Sequence, residues 1–220
     1  MAAGSGHTVA IKIDGSLWAW GSNIHGELGN GMNTHQSVPI QIGTAQNWQQ
    51  VAAGQLYTIA IKTDGSLWAW GWNSYGRLGD GTFTDKSTPV QIGMAHDWQQ
   101  VVAGDEHVLA IKSDSTLWAW GRNFEGQLGD GTLNIRNMPV QVGTAHDWQQ
   151  VAAGSFHTAA IKTDGTFWAW GGGYEGQLGN GTNIVQNAIA SQIGTAHDWQ
   201  QVAVGSEHTV AIKNNGTFWA

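Results

Sequence analysis

Nine histidines are the residues of this chain best suited to bind a metal or carry a proton near neutral pH. His7, His107, His157 and His208 share one register with Tyr57 substituting, and His96, His146 and His197 share a second with Gln46 substituting. His25 and His35 stand outside both. A ligand ring would not exchange imidazole for phenol or amide, so both registers read as buried or turn-bonding histidines. The carboxylates follow the same pattern. Asp14, Asp64, Asp114 and Asp164 sit at hairpins, Asp80 and Asp130 precede a turn glycine, and Asp97, Asp147 and Asp198 stand beside Trp. Each of these registers accepts Asn. A turn tolerates that exchange because either side chain bonds the local backbone, whereas a general acid or base does not. The stretch Gly76-x-x-Gly79-x-Gly81 opens no helix and lacks a following Lys-Ser or Lys-Thr, so its glycines read as positive-φ turn residues rather than a phosphate cradle. No serine nucleophile motif is present. The sequence therefore assigns no catalytic, metal-binding or cofactor-binding residue and predicts a non-enzyme.

These candidates dissolve into registers because the chain is an array. Trp-Gln-Gln recurs at Trp48, Trp98, Trp148 and Trp199, and residues 51–100 match residues 101–150 at 29 of 50 positions. The repeats read as 1–50, 51–100, 101–150 and 151–201, with a partial fifth at 202–220, in one domain spanning 1–220 whose two ends cut through strands. The 220 residues are 41% hydrophobic, enough for a sizeable core, and carry a net charge of −7, which repels phosphate backbones and argues against direct nucleic-acid binding. The chain has no Cys, hence no disulfide framework or thiolate metal site. No apolar run reaches membrane-spanning length and no targeting segment is visible.

Each repeat reads as four short strands. In the second copy they are Tyr57 to Lys62, Leu67 to Trp70, Pro89 to Ile92 and Gln99 to Ala103, the first two joined by a hairpin at Asp64-Gly65. Asp114-Ser115 lacks the glycine, and its turn is expected to differ in type. Four antiparallel strands per 50 residues without helices predict an all-β fold, a β-propeller of four-stranded blades in which about four and a half blades form an open arc. Thirteen tryptophans obey the repeat as core positions, and Trp72 alone departs from it.

The run Gly104-x-x-His107-x-x-Ala110-Ile111-Lys112-x-Asp114-x-x-Leu117-Trp118-x-Trp120-Gly121-x-Asn123-x-x-Gly126-x-Leu128-Gly129-Asp130-Gly131 resembles the regulator of chromosome condensation repeat. The resemblance covers essentially the whole chain. It implies a seven-bladed propeller, of which these residues would supply an arc. It also implies two relatives as functional alternatives. One is guanine nucleotide exchange on a small GTPase, which uses a wedge-like insertion; here the only irregularity is one extra residue between Gly181 and Gly194. The other is the plant ultraviolet-B photoreceptor, and Ser5-Gly6, Gln55-Leu56, Asp105-Glu106, Ser155-Phe156 and Ser206-Glu207 replace the Trp and Arg expected there.

Comparing copies separates scaffold from diversified positions. Of the 21 differences between the second and third copies, fifteen fall at 55–59, at 72, 74, 75 and 77, and at 83–88, in or beside turns. Loops on a rigid scaffold carry function more often than strands do. The candidate partner-binding set is Gln55, Leu56, Tyr57, Trp72, Tyr75, Arg77, Asp105, Glu106, Arg122, Phe124, Glu125, Phe156, Tyr174, Glu175 and Glu207. Exposed aromatic and Arg side chains on a platform are the composition of protein-binding hot spots. The expected function is a non-enzymatic scaffold for a protein partner, with carbohydrate binding through Trp72 and Tyr75 as a further alternative. Trp72 and Arg77 are expected to matter for binding and little for stability, and exposed end blades to promote self-association.

Overall fold

A computed structural model describes residues 1–183 and 186–220. The strands alternate β-branched or aromatic residues with small ones and pair antiparallel into five sheets. The first sheet is β1 (Ala2–Ala3), β2 (His7–Ile11), β3 (Leu17–Gly21) and β4 (Gln36–Gln41). The second is β5 (Trp48–Ala53), β6 (Tyr57–Lys62), β7 (Leu67–Gly71) and β8 (Lys86–Gln91). The third is β9 (Trp98–Ala103), β10 (His107–Lys112), β11 (Leu117–Gly121) and β12 (Arg136–Gln141). The fourth is β13 (Trp148–Ala153), β14 (His157–Lys162), β15 (Phe167–Gly171) and β16 (Asn187–Gln192). The last has three strands, β17 (Trp199–Val204), β18 (Thr209–Lys213) and β19 (Phe218–Trp219). A 3₁₀ turn at Ser74–Gly76 is the one helical element among the described residues. The chain is thus an all-β propeller arc of about four and a half blades. The extra residue between Gly181 and Gly194 falls in the segment containing residues 184 and 185, which lie outside the described residues.

Three strands differ in their bounds from the sequence reading: β7 runs on to Gly71, β9 starts at Trp98, and β8 is Lys86–Gln91. The outer strand of the second blade starts at Lys86 rather than Pro89, because Lys86 pairs with Gly71 across a bulge. Pro89 sits inside this strand without breaking the ladder. Ile92 donates inward to the Leu67 carbonyl, so the alternating pattern points position 89 away from β7, where a missing N–H costs nothing. The hairpin at Asp114-Ser115 also differs from expectation. Ser115 adopts φ +61° and bonds the Lys112 carbonyl at 2.9 Å, as Gly65 does at φ +76° with Lys62. The turn type is therefore the same, held by the Asp114 carboxylate accepting the Thr116 N–H and hydroxyl.

Blades lock to one another through tryptophan. The Trp70, Trp120 and Trp170 indoles are fully buried and donate to the carbonyls of Glu27, Arg77 and Gln127 in the preceding blade, at 2.9, 3.0 and 2.9 Å. Each ring lies over a glycine: a Cβ at Gly29, Gly79 or Gly129 would stand 2.7, 2.7 or 2.6 Å from the indole nitrogen. Trp48, Trp98 and Trp148 meet these rings edge-on at 5.9, 6.2 and 5.9 Å. Around Trp70 the core consists of Leu17, Leu28, Ile42, Trp48 and Ala60, and equivalent residues surround Trp120 and Trp170.

Candidate functional site

The connections between first and second strands and between third and fourth strands leave the first three blades at the same end of the arc. Their side chains are positioned by an asparagine. Asn73 donates to Asp80 and to the carbonyls of Thr82 and Thr84 at 3.0 to 3.1 Å, and accepts the Leu78 N–H at 3.0 Å. Asn23 and Asn123 accept the Leu28 and Leu128 N–H groups in the same way. Gly76, Gly79 and Gly81 supply the positive φ angles that fold this loop back onto the blade, as the sequence predicts.

The inner-strand ends ring a cleft of about 310 Å³ lined by Gly4, Gly54, Gly104, Gly154 and Gly205. Behind it His7, His107 and His157 are buried and reach Thr58, Thr158 and Thr209 of the next blade at 2.9 to 3.1 Å. Burial depresses all three imidazoles, His107 to about 3 and His157 to about 4. These histidines are structural. His96 and His146 are exposed at the opposite end, with Nδ1 at 3.2 and 3.3 Å from the Asp64 and Asp114 carbonyls of the hairpin turns.

Most of the diversified side chains converge. The Arg77 guanidinium lies 4.2 Å above the Trp72 ring and 5.8 Å from that of Tyr75, and Tyr75 packs edge-on against Phe124 at 5.6 Å. Arg122 lies 5.1 Å from the Phe124 ring and 4.9 Å from that of Phe156. Glu106 joins the two cations, at 3.2 Å from Arg77 and 3.3 Å from Arg122, and Glu125 pairs with Arg122 at 2.7 Å. Tyr174 extends the row beside Phe156: a Cβ on the intervening Gly172 would lie 3.3 Å from Tyr174 and 3.4 Å from Phe156. The result is an alternating cation and aromatic ridge across three blades. Gln55 and Leu56 contribute backbone, their carbonyls accepting from Arg77 and from the Trp72 N–H. The Asp105 carboxylate accepts the Ser155 hydroxyl at the rim of the cleft. Leu56 and Tyr75 hold φ of +61° and +62°, so two of the three non-glycine residues with positive φ among the described residues lie in this site.

Four members of the predicted set are placed differently from expectation. Arg77 and Tyr57 are fully buried, not exposed. Arg77 is held from above by Trp72 and bonded to the Ser74 and Gln55 carbonyls at 2.9 and 3.2 Å. Tyr57 fills the histidine position, and its hydroxyl donates toward the Gly104 and His107 carbonyls at 2.9 and 2.8 Å, with burial pushing its pKa upward. Glu175 and Glu207 are exposed but line a groove beside the last sheet, away from the ridge. The ridge also includes residues the sequence reading passed over. His25 stacks on Trp72 at 5.0 Å and pairs with Asp85 at 2.8 Å, carrying the row into the first blade. The available signal was that His25 belongs to neither histidine register.

The whole chain, residues 1–220, matches the model of the RCC1-like domain, and the chain belongs to that family. Its fold is similar to that of human WBSCR16, with 23% identity, a TM-score of 0.84, and coverage of 98% of this chain and 59% of that one. It is equally similar to Prp20p from Saccharomyces cerevisiae, a structure described with its binding to Gsp1p and histones (22% identity, TM-score 0.84, 96% and 54% coverage). Yeast RCC1 (Prp20) bound by Kap60 gives 21% identity, a TM-score of 0.85, and 97% and 53% coverage. The chain thus spans between half and three fifths of the length of these structures.

Proposed function

We propose that the protein is a non-enzymatic scaffold whose ridge from His25 to Tyr174 binds a protein partner. One observation carries this reading: loop positions that differ between otherwise similar copies gather on one end of the arc into a continuous row. Phe124 and Tyr174 are 45% and 43% exposed, and Trp72 is half-buried against Arg77. Large aromatics fixed by buried cations offer contact area at little ordering cost. Protein binding by the similarly folded Prp20p is consistent with this role.

The test is comparative capture. A Phe124→Ala/Tyr174→Ala variant removes two exposed rings outside the repeated core, and each loss of a hot-spot aromatic is expected to weaken a complex by about 2 kcal/mol. Partners retained by the parent chain and lost by the variant, at an unchanged melting temperature, support the reading. Identical capture by both chains rejects it. A glycan array probed with the same pair distinguishes a carbohydrate ligand.

A further inference from the structure

A pocket of about 450 Å³ lies between the first two blades, both four-stranded sheets, and is lined by Asn30, Gln41, Ile42, Trp68 and Pro89 together with Lys62. Lys62 ends β6, is half-buried, and lies 4.7 Å from the Trp48 ring and 4.0 Å from that of Trp68. The later junctions repeat this lysine and give it a carboxylate. Lys112, Lys162 and Lys213 pair with Asp97, Asp147 and Asp198 at 3.1, 3.0 and 2.9 Å. At the first junction Asn47 takes the place of those aspartates, and Asn30 takes the place of Asp80 and Asp130. Lys62 accordingly forms no ion pair among the described residues, and it is the one charged side chain lining the pocket. Asp64 feels the Lys62 charge, but its carboxylate accepts from the Ser66 N–H and hydroxyl and stands in no ion pair with the lysine. The buried Trp48 indole N–H lacks an acceptor, as those of Trp98 and Trp148 do, so the feature that sets this junction apart is its charge.

We propose that this pocket binds a small organic monocarboxylate, with the carboxylate on Lys62 and an apolar body against Ile42, Trp68 and Pro89. A half-buried ammonium between two rings is poorly hydrated and gains most from an anionic partner. Three sister lysines show that a carboxylate is the partner this position takes. Asn30 strengthens the preference. Its Oδ1 accepts from the Asn23 amide and the Met32 N–H at 3.1 Å each, which leaves its NH2 group as a donor where Asp80 and Asp130 present a second acceptor oxygen to Lys86 and Arg136. The pocket thus offers one positive charge, uncharged donors and no carboxylate of its own. One cation matches a monoanion; a phosphate dianion finds no second cation here, and the net charge of −7 opposes it. The volume falls in the range of small-molecule sites, about 300 to 1,000 Å³, so the ligand carries more than its acid group.

The experiment titrates the 220-residue chain with butyrate and with phenylacetate, followed by calorimetry and by backbone amide NMR shifts. Saturable one-to-one binding that perturbs Asn30, Gln41 and Lys62 is expected. Phenylacetamide, which lacks the charge, should bind about ten-fold more weakly than phenylacetate, the size of one hydrogen bond to a charged group. Asn47→Asp supplies the internal carboxylate found at the sister junctions, and it should likewise weaken phenylacetate about ten-fold while the chain melts at the same temperature or higher. Lys62→Met keeps the apolar stem over the rings and should abolish binding. Absence of saturable binding by both acids, phenylacetamide binding as tightly as phenylacetate, or binding unaffected by Asn47→Asp overturns the proposal. Tighter binding of a blocked Gly-Glu-Gly peptide than of phenylacetate overturns the free acid as ligand. The pocket shares no residue with the ridge, so the two readings stand or fall separately.

Discussion

Arg77 and Trp72 form a single unit: the guanidinium lies 4.2 Å from the ring, carries no solvent exposure, and pairs with Glu106 at 3.2 Å. Desolvation lowers its pKa, and the Glu106 charge opposes that shift, so the cation is held by its partners rather than by water. Removing it with Arg77→Ala leaves a cavity and deprives Glu106 of one of two partners. The expected loss is about 3 kcal/mol, at the low end for broken buried pairs because Glu106 keeps Arg122. Trp72→Ala should cost about 1 kcal/mol. Urea denaturation of both variants checks the order, and a smaller loss for Arg77→Ala would return that residue to the exposed role the sequence alone suggested.

Trp70→Ala removes a fully buried ring together with its bond to the Glu27 carbonyl. A loss of about 3 to 5 kcal/mol is expected. Hydrogen exchange should show the loosening concentrated between the first and second blades.

Stability should fall as the solution is acidified from neutrality. His107 and His157 are neutral in the fold because burial holds them near 3 and 4, with His157 and Arg122 adding repulsion at His107. In the unfolded chain imidazole titrates near 6.5. The unfolded state therefore binds more protons below about pH 6.5, and stability present above that pH is lost as pH falls toward the folded values. Urea midpoints between pH 7.5 and pH 5, above the range where carboxylates titrate, should decline steadily. His107→Tyr, which introduces the residue found at Tyr57, should make the decline shallower; an unchanged slope would assign it to other groups.

Ser115 occupies a left-handed conformation that its sister turns give to glycine. Ser115→Gly should stabilise the chain by about 1 kcal/mol by removing contact between Cβ and backbone. Differential scanning calorimetry measures this directly.

The blade architecture was legible because the copies serve as one another's comparison: Trp-Gln-Gln, Leu-Trp-Ala-Trp and the turn glycines recur where packing permits nothing else. The ridge was legible only in part, since difference between copies reports freedom to change and not exposure. Position 77 shows why. Glu27, Arg77 and the Gln shared by positions 127 and 177 differ, yet all four are buried, and between Glu27 and Arg77 the partner changes as well. Ser22 donates to Glu27 where Trp72 covers Arg77. A polar residue exchanged in step with the residue five positions earlier was the sign of a buried pair. The turn at Ser115 was misread because a side chain at positive φ carries no signature in composition.

Each indole that locks a blade finds its acceptor 43 residues upstream, in Trp70 to Glu27, Trp120 to Arg77 and Trp170 to Gln127. Synthesis also runs in that direction, so every acceptor carbonyl is made before its donor. A new sheet can dock onto finished template as it emerges, and no blade must wait for a later one to supply its lock. The arc is a structure that can be assembled in the order in which it is translated.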